Sequence, residues 1–181
     1  MCPPDFYGIE YEINPWMSRG RQADGELAAK QWDALVDILE GLGAKISILE
    51  PRPGLPDLVF TANAALIYKQ RAILSHFRHE QRQGEEPLCA AWLEENGYQV
   101  ERLPEGRFFE GAGDALYCGD TLIAGYRIRS DIHAQQLGFR KHHARVNHDH
   151  VVSEAEREHV HSEFAESPQR HCPQSLLLQL L

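Results

Sequence analysis

The sequence predicts an α/β fold built from repeated hairpin–helix–strand units. Three observations predict it. Ile48-Leu-Glu-Pro leads through a Pro/Gly loop to Asp57-Leu and a hairpin, while Arg102-Leu-Pro-Glu-Gly leads through a similar loop to Asp114-Ala-Leu and a second hairpin. Each hairpin is followed by a segment of helical spacing. The unit is about 55 residues long, and self-similarity at a fixed period marks a repeated architecture.

In chain order, Asp5 to Ile13 alternates loosely and reads as a strand, ending at Asn14-Pro15, where proline biases its predecessor toward extended backbone. Asp24 is a helix N-cap candidate. From there Ala28, Trp32, Leu35, Leu39 and Leu42 recur at three- and four-residue steps along one face, and Gly43 is a helix stop. Lys45 to Leu49 is a short strand, followed by a stiff loop holding Pro51, Pro53, Gly54 and Pro56. Asp57 to Tyr68 turns at Lys69-Gln70 and returns as Arg71 to Ser75, a hairpin. His76 to Gln83 reads as loop, Glu85 to Asn96 as a helix closed by Gly97, and Tyr98 to Leu103 as a strand. The second hairpin turns at Gly119-Asp120, and a helix follows with Ser130 as N-cap and Gly138 as stop. This gives two hairpin–helix units behind a leading strand–helix–strand unit. Equivalent loops of such units gather at one end, so Asn14, Asp57, Asn63 and Glu110, all at loop–strand junctions, are placed to converge.

Composition narrows the function. The chain has 181 residues, enough for one domain with a real core, and carries a net charge of -9 without a basic block. That argues against a nucleic-acid surface and suits cationic substrates. The N-terminus lacks a basic region followed by an apolar run, which predicts no secretory leader. The dense apolar run Ser175 to Leu181 is too short to span a bilayer, so no membrane partner is expected. Cys2, Cys89, Cys118 and Cys172 are widely spaced and read as reduced thiols of a cytoplasmic protein. All 14 glycines lie at or before Gly138, whereas seven of the ten histidines lie between His142 and His171. The chain therefore divides into a domain at 1–138 and a His-rich tail at 139–181. His142-His143, His148/His150 and His159/His161 invite a metal reading, but i,i+2 pairs share a face only on a strand and their surroundings read as helix or coil. No metal and no cofactor are expected.

The chemistry-bearing stretch is Arg107-Phe-Phe-Glu-Gly-Ala-Gly-Asp114. Glu110 and Asp114 flank a small run that lets backbone approach closely. A carboxylate in such a partly dry place suits a cationic ligand, because charge pairing and hydrogen bonds offset its desolvation. The competing reading is a tight turn between strands, with Glu110 solvated and Asp114 bonded to its own turn.

Met1-Cys-Pro-Pro-Asp5, Ile13-Asn-Pro-Trp-Met17, Pro56-Asp-Leu-Val-Phe-Thr-Ala-Asn-Ala-Ala65, Arg82-Gln-Gly-Glu85 and Phe109-Glu-Gly-Ala-Gly-Asp114 together resemble the guanidino-group modifying superfamily. That superfamily comprises arginine deiminases, dimethylarginine dimethylaminohydrolases and amidinotransferases, and the chain looks most like its arginine-dihydrolase branch, over residues 1 to 136. The resemblance implies part of a pentein-type α/β propeller, with the site in a central channel. It implies a cysteine nucleophile attacking the guanidinium carbon, a histidine acid/base and carboxylates that bind the guanidinium, with no metal needed. Carried over by motif, Glu110 matches the site carboxylate and Asp57 a substrate-contacting acid. Asn63 stands where many relatives carry a second acid and points to arginine. Asn14 is a further substrate-contact candidate, and Arg82 and Arg127 are candidates for a substrate carboxylate.

After residue 136 the match stops. Ser162-Glu-Phe164, and Cys172 before a leucine-rich end, echo the family's terminal cysteine segment, which makes Cys172 the candidate nucleophile. The expectation is a truncated or alternative-tail arginine-type guanidino hydrolase, weakly active or inactive as given. The alternatives are a complete minimal hydrolase using Cys172, and a non-enzymatic binding or dominant-negative subunit. The open sheet edges of a partial ring invite pairing with other chains, including homo-oligomers.

Overall fold

The computed structural model describes residues 1–118, 121–134 and 145–146. Two three-stranded sheets carry the same connectivity. In the first, β1 (Ala65–Tyr68) pairs antiparallel with β2 (Arg71–Leu74), and the chain passes through helices α2 (Glu80–Gln83) and α3 (Glu85–Glu95) to β3 (Gln99–Glu101), which lies parallel to β2. In the second, β4 (Ala115–Cys118) pairs antiparallel with β5 (Thr121–Ala124), and β6 (Arg145–Val146) lies parallel to β5. Register repeats as well: Ala65 faces Leu74 in one hairpin as Ala115 faces Ala124 in the other. The repeat read from the sequence is the architecture of the described residues, an α/β fold with two open sheets.

Helix α1 (Gly25–Gly41) precedes both units. Asp24 caps it, its side chain accepting from the Leu27 N–H at 3.0 Å, and Gly43 leaves it at φ +85°. Of the predicted apolar face only Leu39 is buried, and Leu42 is 73% exposed. Residues 45–49 form no strand of either sheet. The Met1 ammonium nevertheless donates to the Ser47 carbonyl at 2.8 Å, and the Leu49 N–H to the Met1 carbonyl at 2.9 Å.

Three other expectations need correction. Residues 5–13 are loop rather than strand, because the Gln22 amide takes the role of a neighbouring backbone. It accepts from the Ile9 N–H at 3.1 Å and donates to the Ile9 carbonyl at 2.9 Å. The first hairpin starts late: Pro56–Val59 and Thr61–Asn63 are short 3-10 turns, the first with proline at its N-terminus. Ser130 stands two residues before the first helical residue, 132, and its hydroxyl bonds the Glu110 N–H and Asp114 Oδ2 of the preceding turn.

Side chains alternate along β1 and β2 into two cores. Ala65, Ala72 and Leu74 meet Cys2, Leu58, Cys89, Ala90 and Leu93 on the α3 side. Leu66 and Ile73 meet Phe109, Ala115, Tyr117, Leu122 and Ala134 of the second unit on the other. Burial on both faces explains why these strands read as continuous apolar runs. It also sets the turn before β1 against the equivalent turn, Gly111–Gly113, before β4. No helix among the described residues is long and apolar enough to cross a membrane.

A buried carboxylate and guanidinium cluster

These turns bring together side chains far apart in sequence. Asp57 lies in the Pro56–Val59 turn, Asn63 ends the Thr61–Asn63 turn, Glu110 precedes the Gly111–Gly113 turn, and α2 delivers Arg82. Asp57, Arg82, Glu85 and Glu110 are all buried, at 5%, 5%, 2% and 2% exposure. Buried charges on this scale must be paired. The Arg82 fork donates from Nε and Nη2 to the two Glu85 oxygens, each at 2.8 Å, a bidentate pair. Its Nη2 also reaches the Asp57 carbonyl at 3.2 Å, Nε lies 3.8 Å from Asp57 Oδ2, and Nη1 lies 3.9 Å from Glu110 Oε2. The guanidinium sits 4.3 Å from the Phe77 ring centroid. Burial pulls its pKa down, but pairing with Glu85, then with Asp57 and Glu110, together outweighs this and holds it above the usual arginine value.

Glu110 meets a second guanidinium. Arg129 Nη1 lies 3.3 Å from its Oε2, while Arg129 Nη2 bonds Asp114 Oδ1 and the Gly113 carbonyl. Arg129 is 41% exposed at its side chain. The Asn63 amide donates over 3.5 Å to both the backbone carbonyl and Oε2 of Glu110. Burial lifts the Glu110 carboxyl above the ordinary carboxylate range, with Arg129 and Arg82 pulling it back. Burial likewise lifts Glu85 against the pull of Arg82. Ser130 supports the turn from behind: its hydroxyl accepts from the Glu110 N–H at 3.0 Å and donates to Asp114 Oδ2 at 2.6 Å.

Of the residues singled out from the sequence, Asp57, Asn63, Arg82 and Glu110 meet here. Arg82 has its fork on Glu85. Asn14 is exposed, and its Oδ1 accepts from the N–H groups of Trp16 and Met17 at 3.0 and 3.1 Å, closing its own turn. Arg127 is exposed at φ +115°, and its backbone N–H donates to the Ser130 carbonyl. Cys172 and the seven tail histidines lie outside the described residues.

Sequence reading passed over three members. Glu85 stands three residues after Arg82, a spacing that itself signals a helical ion pair. Arg129 stands two positions after Arg127, in a bend whose geometry the sequence does not mark. Tyr11 lies in the N-terminal loop, where burial and then the Asp57 charge push its hydroxyl pKa upward; no sequence signal marks it. A shallow trough of about 820 Å³ runs along the N-terminal loop, lined by Phe6 to Glu10, Arg19, Gln22, Pro53 and Gly54, and includes none of the cluster.

A dry acid flanked by an amide and two guanidinium groups is a setting that favours pairing with a cation. The model for the eukaryotic N,N dimethylarginine dimethylhydrolase family matches residues 12–134, and the chain belongs to that family, in the guanidino-modifying superfamily on its arginine-dihydrolase side. The bifunctional arginine dihydrolase/ornithine cyclodeaminase ArgZ of Synechocystis is 47% identical over 135 residues, 73% of this chain and 19% of that protein. The N(G),N(G)-dimethylarginine dimethylaminohydrolase of Mycobacterium tuberculosis is 37% identical over 131 residues, 72% of this chain and 43% of the relative. The chain thus spans less than half the length of either. Among solved structures, the N-terminal domain of ArgZ bound to substrate, an arginine dihydrolase of cyanobacteria, superimposes with a TM-score of 0.76 at 41% identity, covering 81% of this chain and 55% of that one. AgrE in complex with L-arginine gives 0.74 at 45% identity, over 77% of this chain and 21% of that one.

Proposed function

We propose that the described residues form the arginine-binding side of a guanidino hydrolase site, with Glu110 as the acceptor for the ligand's guanidinium. The observation that carries this is the pairing of the buried Glu110 carboxylate with the half-exposed guanidinium of Arg129 at 3.3 Å. The protein's own side chain already makes there the contact a ligand guanidinium would make. Arg129 can swing outward, and a ligand guanidinium then pairs with Glu110 while Arg129 turns to the ligand's carboxylate. Asn63 offers its amide to the same oxygen, and Asp57 stands behind Arg82 as the second acid. Arg82 is assigned to holding these acids near one another rather than to clasping a substrate carboxylate. That task, which the sequence offers to Arg82 and Arg127, passes here to Arg129. Asn14, occupied in its own turn, receives only a loop role.

The hydrolytic half needs a thiolate and an acid/base. The Cys2 thiol is pushed up to about 11 by burial and the Cys89 thiol to about 12, so both stay protonated at neutral pH. After burial, the Glu85 charge raises the Cys89 thiol further. The resemblance of its segment to the family's terminal cysteine segment makes Cys172 the candidate nucleophile, with a tail histidine the candidate acid/base. Without them in place the described residues bind but turn over weakly or not at all. A full complement of such units would close as a pentein-type propeller. The protein is proposed to work in the cytoplasm without a metal or cofactor, and the outer strands of its open sheets give a second copy or a longer relative an edge to pair with.

The test is ammonia release from arginine by the purified chain beside Cys172→Ala, with arginine binding measured on both. Binding without turnover in either supports a binding half-site. Turnover lost in Cys172→Ala makes the tail part of a working centre. Absence of arginine binding in both overturns the proposal.

A further inference from the structure

Glu110 sits at an irregular turn, at φ -120° and ψ 48°, outside any sheet ladder. Side chains on such backbone are held less well than those on strands unless their surroundings fix them. The two residues before it are pinned one by one. The Phe109 N–H and carbonyl both bond the backbone of His76, each at 3.0 Å. The Phe108 N–H donates to Asp131 Oδ2 at 3.0 Å, and the Phe108 carbonyl accepts from the Asp131 N–H at 2.8 Å. The Phe108 ring carries the His76 imidazole stacked at 5.3 Å and 11°, and the Arg78 guanidinium lies 4.6 Å from its centroid. Both of these groups are themselves anchored. Arg78 Nη2 donates to Asp131 Oδ1 at 2.7 Å. His76 Nδ1 lies 3.2 Å from each Glu86 oxygen, and Glu86 Oε1 also accepts the Phe77 N–H at 2.8 Å.

We infer that His76, braced by Glu86, is a positioning residue for Glu110: together with the Arg78–Asp131 pair it fixes Phe108 and so sets the carboxylate two positions on. The inference rests on the reading of Glu110 as the guanidinium acceptor. The effect of His76 runs through Phe108 and the paired backbone of Phe109. Loosening this clamp leaves the acid in the chain but no longer at a fixed place, and misplacement of a binding group by a fraction of its contact distance is enough to lose affinity.

The experiment uses the full chain with His76→Ala, His76→Phe and Glu110→Gln. Two readouts are taken below each variant's melting transition: arginine affinity by calorimetry, and the Glu110 carboxyl titration by carbon-13 NMR. His76→Ala is expected to weaken arginine binding about tenfold and to move the Glu110 titration down toward that of an ordinary carboxylate. His76→Phe, which keeps a flat ring for Phe108, is expected to restore most of both. Wild-type affinity and an unmoved titration in His76→Ala overturn the inference, even if that variant melts earlier. If His76→Ala does not fold, Arg78→Ala, acting on the same ring from a partly exposed position, is read in the same way. Undiminished arginine binding by Glu110→Gln would instead sink the guanidinium reading, and the Glu110 titration in the His76 variants would still decide the positioning role.

Discussion

Gly113 lies against Asn63 so closely that a Cβ added to it would overlap the Asn63 Nδ2. The turn of the second unit is thus seated on the amide that ends the turn of the first. Gly111 is hemmed in by rigid backbone: at φ +56°, its Cβ would meet the Ala65 N and C at 2.8 and 2.9 Å and the Ala62 carbonyl at 2.9 Å. The two glycines of the Glu110 motif are there to let two turns touch.

Substitution at these glycines should separate stability from binding. Gly111→Ala meets rigid backbone and an unfavourable φ, and is expected to destabilise by about 2 kcal/mol or more. Gly113→Ala meets the end of a side chain that can turn aside, so its main expected effect is displacement of Asn63 and weaker arginine binding. Urea denaturation and calorimetry on the two variants check the contrast, which fails if Gly111→Ala is the milder change in stability.

Breaking the Arg82–Glu85 pair should be severe. Glu85→Ala leaves a buried guanidinium with the Asp57 carbonyl, the Phe77 ring and its longer contacts to the Asp57 and Glu110 carboxylates, and no close counter-charge. Removing one partner of a buried pair costs about 3–5 kcal/mol. Glu85→Gln keeps an acceptor and should cost less. Thermal melts would show whether the order holds.

The raised Glu110 pKa gives opposite pH trends for stability and binding. A carboxyl whose folded pKa exceeds its unfolded one binds its proton more tightly when folded. Its contribution to stability is therefore fully present below the unfolded value, near 4.5, and is lost as pH rises through the higher folded value. Glu85 shifts in the same direction and adds to the trend. Arginine binding needs the ionised acid and should strengthen over the same rise in pH. Glu110→Gln is expected to flatten its share of the stability profile and to remove the pH-dependent gain in affinity. A gain that persists in this variant would assign the titration to another group.

Thiol labelling should discriminate among the cysteines. An electrophilic guanidine analogue at neutral pH is expected to leave Cys2 and Cys89 unmodified in the folded chain, because both thiols are buried and protonated. Peptide mass spectrometry after labelling reads this directly. Modification concentrated at Cys172 would support the nucleophile assignment; modification first at Cys89 would contradict the burial argument.

The sequence by itself determined the repeat, the hairpin at Lys69-Gln70, the cap at Asp24, the α3 helix and the family, because turn residues, caps and hydrophobic period act over a few neighbouring positions. Asp57, Asn63, Arg82 and Glu110 were also legible, since their motifs are contiguous. Only the tertiary structure decided what those residues do to one another. It replaced a predicted strand at 5–13 with a loop held by the Gln22 amide, set Arg129 beside Glu110, and committed the Arg82 fork to Glu85. Each choice turns on which side chain reaches a given polar group in space. Periodicity carries no information about that distance; it is fixed when the Gly111–Gly113 turn closes on Asn63.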